Sequence, residues 1–199
     1  MKSDAHSENL RRHRLSDAPA TFFITKSLHP KKPVLDEDIR EIIVSALAFA
    51  VQEHRIYMRA FVVMLDHWHA LFALCDPWTL PRFMHMLMSF IGAKTSGQLK
   101  SHNTFWQDGY YDTRVRTAKQ FAFVANYIEQ NPVTKGLAGK SEKWHASSAK
   151  RTELITASLA VDARWGIKRS RPEAPPIFKG SHHRTETPDH FLQTASDLA

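Results

Sequence analysis

Apolar positions along this chain follow two periods, one suited to strands and one to helices. Thr21-Phe22-Phe23-Ile24-Thr25 is β-branched and aromatic, a strand signal that Pro30 and Pro33 bring to an end. Asp36 is placed to cap a helix, behind which Ile39, Ile42, Ile43, Ala46, Leu47 and Ala50 recur at helical spacing to about Glu53. Two apolar runs follow, Ile56 to Met64 and His67 to Leu74, and Leu65-Asp66 between them reads as a short hairpin turn. The pattern predicts a second helix from Leu80 to Leu99, with Phe83, Leu87, Phe90 and Ile91 as its apolar stripe. A short strand around Asp112 to Arg116 leads to a third helix, capped by Thr117 and stopped near Gln130, ahead of Pro132. Leu154 to Ala163 reads as one more helical stretch. The order β-α-β-β-α-β-α predicts an α+β fold, a ferredoxin-like split βαβ sandwich with an antiparallel sheet. One extra helix and a basic C-terminal tail are added to it.

With 199 residues and 43% apolar content, one domain with a real core is expected. Residues 1–18 read as a polar tail and 19–150 as the folded unit. Residues 151–199 read as a basic, proline-rich extension, partly disordered, with Lys168, Arg169, Arg171, Pro172, Pro175 and Pro176 in it. A net charge of +7 and a pI of about 9.6 favour an anionic partner, nucleic acid being the commonest. The single Cys75 leaves no internal disulfide and fits a reducing compartment. Met1 to Arg14 lacks an apolar secretory segment, and Ile42 to Val51 is too short to span a bilayer. The expected setting is the cytoplasm of a bacterium, with no membrane partner.

The candidate chemistry sits in His67-Trp68-His69 and in Tyr127 with Asn131. Strand side chains alternate, so His67 and His69 share one face with Leu71, while Asp66, Trp68 and Ala70 take the other. Two imidazoles on one face can bind a divalent cation; two histidines satisfied by hydrogen bonds is the competing reading. On the third helix Phe121, Val124 and Ile128 form the core stripe. Tyr127 and Asn131, four apart, fall on its semi-exposed flank. An amide oxygen there is a hard ligand, yet the same two residues also suit packing and a helix end.

Three spaced segments carry a family resemblance. Phe61-Val62-Val63-Met64-Leu65-Asp66-His67-Trp68-His69-Ala70-Leu71 resembles the strand, turn and His-x-His strand of HUH tyrosine transposases. Trp106-Gln107-Asp108-Gly109-Tyr110-Tyr111-Asp112 is similar to their Trp-Gln segment. Tyr127 to Leu137 resembles their tyrosine helix and the loop behind it, and Trp144 with Ser147-Ser148 their closing tryptophan-serine element. The nearest branch is the REP-associated tyrosine transposases, and the likeness spans about residues 18–150. Three positions depart from it: Leu65-Asp66 stands where the family has proline followed by Asn or Glu, and Trp68 replaces a smaller apolar residue.

The resemblance implies Tyr127 as nucleophile and His67, His69 and Asn131 as ligands of a divalent metal, Mg²⁺ or Mn²⁺. It implies cleavage and joining of single-stranded DNA beside a hairpin, through a 5′-phosphotyrosine. Single-stranded or hairpin DNA is thus the expected partner of a chain expected to be monomeric, although inverted-repeat relatives are dimers. Lys94, Lys100, Arg114, Arg116 and Lys119 are candidate DNA contacts, with Arg114 and Arg116 expected on one strand face. Tyr110, Tyr111 and Trp106 are candidates to stack on unpaired bases, with core packing favoured for Trp106. A hairpin-binding protein without catalysis is the first rival. A metal-dependent hydrolase is the second, and it needs more His or Asp ligands than the strand supplies.

Overall fold

The structure is a computed structural model that describes residues 20–30, 34–95 and 105–156. In chain order it contains β1 (Thr21–Ser27), α1 (Glu37–Gln52), β2 (Ile56–Val63), β3 (His67–Leu74), α2 (Leu80–Thr95), β4 (Tyr111–Val115) and α3 (Ala118–Thr134). Two 3₁₀ turns, Ser141–Lys143 and Thr152–Leu154, follow. The sheet order is β2-β3-β1-β4 and every pairing is antiparallel, the split βαβ arrangement expected from the element order.

Both faces of this sheet are covered. Phe22 and Ile24 of β1, with Trp68, Ala70 and Phe72 of β3, pack beneath α1 and α2. Phe23, Leu71, Ala73 and Val115 face the other way and pack beneath Phe121, Val124 and Ile128 of α3. The central strands are therefore apolar at both parities, which is why β1 and β3 read as continuous apolar runs. On β2 the register shifts between Met58 and Ala60, so Met58 serves the α1/α2 side and Ala60 the α3 side.

The local signals act where they were read, with corrections at several ends. Asp36 caps α1, its Oδ1 accepting from the Ile39 N–H at 2.8 Å. Thr117 caps α3 in the same way, accepting from the Gln120 N–H at 3.1 Å. Met64 N–H donates to the His67 carbonyl at 2.8 Å, closing the two-residue hairpin turn over Leu65-Asp66. α2 is described to Thr95, and residues 96–99 of the expected helix lie outside the described residues. On its stripe Phe90 is half-buried, stacked 6.4 Å from the Phe49 ring. α3 does not stop before Pro132 but runs on to Thr134. The proline lies in the last turn, where it forfeits a single N–H donor, and its own carbonyl accepts from Leu137 at 2.8 Å. Leu154 closes a 3₁₀ turn instead of opening a helix, and Ile155 is already extended. The N-terminal tail, 1–18, and residues 157–199 lie outside the described residues. Residues 151–156 pack on the body: Thr156 N–H donates to the Met58 carbonyl at 3.0 Å, and Met58 N–H to Thr156 Oγ1 at 3.2 Å.

Lys26 is fully buried on the α1/α2 side. Its Nζ donates to the Gln107 carbonyl and lies 5.3 Å from the Trp106 ring centroid. Burial pushes its pKa down to about 5, against the opposing pull of Asp108. In the unfolded chain the same amine holds its proton up to about pH 10.5. The unfolded state therefore binds more protons between those two values, and stability falls as pH drops through that window. Lys26→Met is expected to raise stability at pH 7 by roughly 2 kcal/mol, after deducting the lost hydrogen bond, and less at pH 10. Urea unfolding at both pH values checks this; an equal gain at both would clear the amine of responsibility.

Candidate active site

His67 and His69 project from β3 toward α3, their ring centroids 4.7 Å apart. Each ring is held through Nδ1. His69 Nδ1 shares a hydrogen bond with Thr25 Oγ1 at 2.9 Å, Thr25 being its register partner on β1. His67 Nδ1 lies 2.6 Å from Asp66 Oδ1. With both Nδ1 atoms engaged, the Nε2 atoms are the ones turned to the site, and that of His69 already meets Tyr127 Oη.

α3 carries the rest of the site. Tyr127 Oη lies 3.4 Å from His69 Nε2, and the two rings are 5.3 Å apart. Phe23 supports both, at 5.3 Å from the His69 ring and edge-on to Tyr127 at 6.2 Å. Asn131 sits one turn further on. It is buried, not semi-exposed, in a helix that packs over β2 and β3. Its side chain hydrogen-bonds Tyr127, while its Oδ1 is buried without a partner among the described residues. A buried acceptor left unpaired is costly and asks for a cationic or protic occupant.

Titration behaviour follows from burial. His69 is held well below the ordinary imidazole value, first by desolvation and then by the neighbouring His67 and Lys135. It is therefore neutral, with a lone pair available. Burial pushes the Tyr127 phenol above its usual value, and the Asn131 hydrogen bond partly offsets this. The hydrogen bond to His67 holds the Asp66 carboxyl low, against its own partial burial. Among the described residues no three His, Cys, Asp or Glu side chains converge. An unpaired buried oxygen, Asn131 Oδ1, lies on the helix that also brings Tyr127 to His69. Two imidazoles and an unpaired amide oxygen are donors that fit a divalent cation by their chemistry.

The structure thus gathers His67, His69, Tyr127 and Asn131 and adds three residues that sequence reading missed. Thr25 was legible only through pairing across strands. Phe23 read as core, which it also is. Strand alternation predicts the opposite face for Asp66, but it belongs to the turn before β3, where that alternation does not apply. A carboxylate adjacent in sequence to an imidazole was the available signal.

The candidate DNA contacts are dispersed. Arg114 pairs in register with Phe22 and so faces the α1/α2 side, away from the histidines. Arg116 does not share its strand face, because β4 ends at Val115; it lies exposed in the link to α3. Lys119 is exposed in the first turn of α3, and Lys94 lies in the last turn of α2 with its Nζ 5.8 Å from the Phe90 ring. Lys100 lies outside the described residues. Tyr110 and Trp106 pack partly against the α1/α2 core, whereas Tyr111 opposes Thr25 and so shares the histidine face. Lys135, at the C-cap of α3, is an exposed cation whose field reaches both His69 and Asp66.

Comparison with known proteins identifies the family and a similar fold. The family model described as Transposase IS200 like matches residues 23–131, a span that holds both histidines, Tyr127 and Asn131. A solved structure of a REP-associated tyrosine transposase bound to a REP hairpin superposes with a TM-score of 0.53 at 17% identity. The alignment covers 83% of this chain and 93% of that one. A provisional transposase from Deinococcus radiodurans R1 aligns at 18% identity over 65% of this chain and 97% of its own, with a TM-score of 0.42. No curated protein matches the chain. Among the described residues no helix is long and apolar enough to cross a membrane.

Proposed function

Because the chain belongs to the IS200-like transposase family, we propose that it cleaves and rejoins single-stranded DNA beside hairpins, with Tyr127 as the covalent nucleophile. The observation that carries this reading is the approach of Tyr127 Oη to His69 Nε2, 3.4 Å, beside a second imidazole and an unpaired amide oxygen. The solved relative's hairpin partner suggests a palindromic hairpin with an unpaired flank as substrate. On this reading the protein acts in the cytoplasm, where such DNA is found. A monomer is the working unit on this reading, with a dimer as the alternative.

A phenol raised by burial is a poor nucleophile at neutral pH. His67, His69 and Asn131 would hold Mg²⁺ or Mn²⁺. Such an ion, when bound, neutralises charge on the phosphoryl oxygens and eases loss of the phenol proton. The chain's own residues do the rest. Thr25 and Asp66 keep the imidazoles aimed at the site, and Phe23 keeps the Tyr127 ring from swinging. Lys135 offers a cation for the DNA backbone. The Tyr127 oxygen bonds to phosphorus as the bond to the 3′-oxygen breaks. The phenol proton passes to solvent and the leaving 3′-oxygen takes one up. Bond energy is kept in the 5′-phosphotyrosine, so a second 3′-hydroxyl can reverse the step and join strands without ATP.

The test is to incubate the protein with single-stranded palindromes from beside its own gene, with Mg²⁺ or Mn²⁺. A denaturation-resistant protein–DNA adduct is expected. Tight binding with no adduct would favour a hairpin-binding protein without catalysis. Cleavage with no adduct would favour attack by water. The role given to Thr25 has its own check. Thr25→Val should weaken Mn²⁺ binding roughly 10–100-fold, the usual cost of losing a histidine's outer partner. Unchanged affinity by calorimetry would show that Thr25 does not orient His69.

A further inference from the structure

On α3, Glu129 lies two residues from Tyr127, about 200° around the helix axis. The apolar stripe of Phe121, Val124 and Ile128 runs between them and rests on the sheet. Tyr127 and Asn131 thus occupy one flank of the stripe and Glu129 the other. Glu129 Oε1 accepts a hydrogen bond from Ser148 Oγ at 3.1 Å. Ser148 is itself fixed to the sheet. It is fully buried, its Oγ accepts from Phe61 N–H at 3.1 Å, and its own N–H donates to the Phe61 carbonyl at 2.8 Å. Neighbouring groups reinforce that attachment: Trp144 Nε1 donates to the Val63 carbonyl at 2.9 Å, and Ser147 bridges to Val62.

Apolar contacts hold a helix down but are non-directional, so they define its roll about its own axis poorly. A hydrogen bond to a fixed point does define it. We propose that Glu129 is a positioning residue: its bond to Ser148 sets the roll of α3 and thereby the reach of Tyr127 to His69. Glu129 touches neither the histidines nor, on the reading above, the DNA. The tyrosine oxygen stands far from the helix axis, so a modest roll moves it by an ångström or more. A misplacement of about 1 Å at a reacting atom can cost on the order of 10²-fold in rate. The structural part of the inference is independent of the catalytic reading; the rate part rests on it.

The experiment uses the full chain with Glu129→Ala and Glu129→Gln. Gln keeps an acceptor oxygen for Ser148, and Ala removes it. In the metal-free protein, proton Overhauser contacts report Tyr127 to His69, with Phe23 to His69 as a reference inside the sheet. Glu129→Ala should weaken the first contact and spare the second, and Glu129→Gln should restore it. Adduct formation on hairpin DNA should drop roughly 10²-fold in Glu129→Ala with hairpin affinity unchanged. A wild-type Tyr127–His69 contact in Glu129→Ala would overturn the proposal, as would a failure of Gln to rescue. Loss of both ring contacts together would mean that Glu129 supports the sheet rather than the roll, and would overturn it too. If the wild-type protein forms no adduct while the ring contact responds as described, the catalytic reading falls and the roll lock stands.

Discussion

Tyr127→Phe is expected to abolish the covalent protein–DNA adduct while leaving hairpin affinity where it was. The substitution removes one oxygen and keeps the ring. Packing of that ring edge-on to Phe23 and against His69 therefore survives, and the fold loses the hydrogen bond to Asn131, at a cost of about 1–3 kcal/mol. The oxygen lost is the one 3.4 Å from His69 Nε2. Removing a catalytic nucleophile has cost roughly 10⁶-fold in a well-studied hydrolase, so the adduct should fall below detection. Denaturing gels with labelled hairpin DNA read the adduct, and a binding titration at fixed salt reads the affinity. An adduct that persists in the variant would move the nucleophile elsewhere. Tyr111 would be the next candidate, since it opposes Thr25 on the histidine face, whereas Tyr110 packs toward the α1/α2 core.

Trp68→Ala should be the most damaging single substitution for stability. Trp68 stands between the two histidines in sequence but points to the opposite side, fully buried beneath α1 and α2. Truncation of a buried tryptophan to alanine costs about 3–5 kcal/mol. A domain with a typical reserve of about 5–15 kcal/mol is then left partly unfolded or close to it. Trp68→Phe should be far milder. It leaves a smaller void and also removes an indole N–H that is buried without a partner among the described residues. Chemical denaturation of the two variants provides the measurement. Equal losses would show that the indole ring is not what fills this part of the core. The result bears on function as well, because β3 presents both imidazoles from a backbone that Trp68 anchors from behind.

Much of the fold and the heart of the site were legible in sequence because the deciding geometry is local. A strand repeats every two residues, so His67 and His69 had to share a face. A helix repeats every 3.6, so Tyr127 and Asn131 had to share a flank. The caps Asp36 and Thr117 act within their own first turn, and the Leu65-Asp66 turn within its own hairpin. Element order then limited the topology to a split βαβ sheet.

Tertiary structure decided everything that depends on which element lies against which. Thr25 meets His69 only because β1 pairs with β3 in one register, and Arg114 turns away from the site because β4 pairs with β1 in another. The shift at Met58/Ala60 changes the parity of β2 midway, and no periodic reading detects an inserted residue. α3 continues through Pro132 because a missing donor in a last turn costs little once Asn131 and Ile128 are packed against the sheet. The bond between Glu129 and Ser148 joins two segments whose separate patterns contain no hint of each other. Periodicity fixes where a side chain points on its own element, but distances between elements come from packing, and a reactive site is a set of distances.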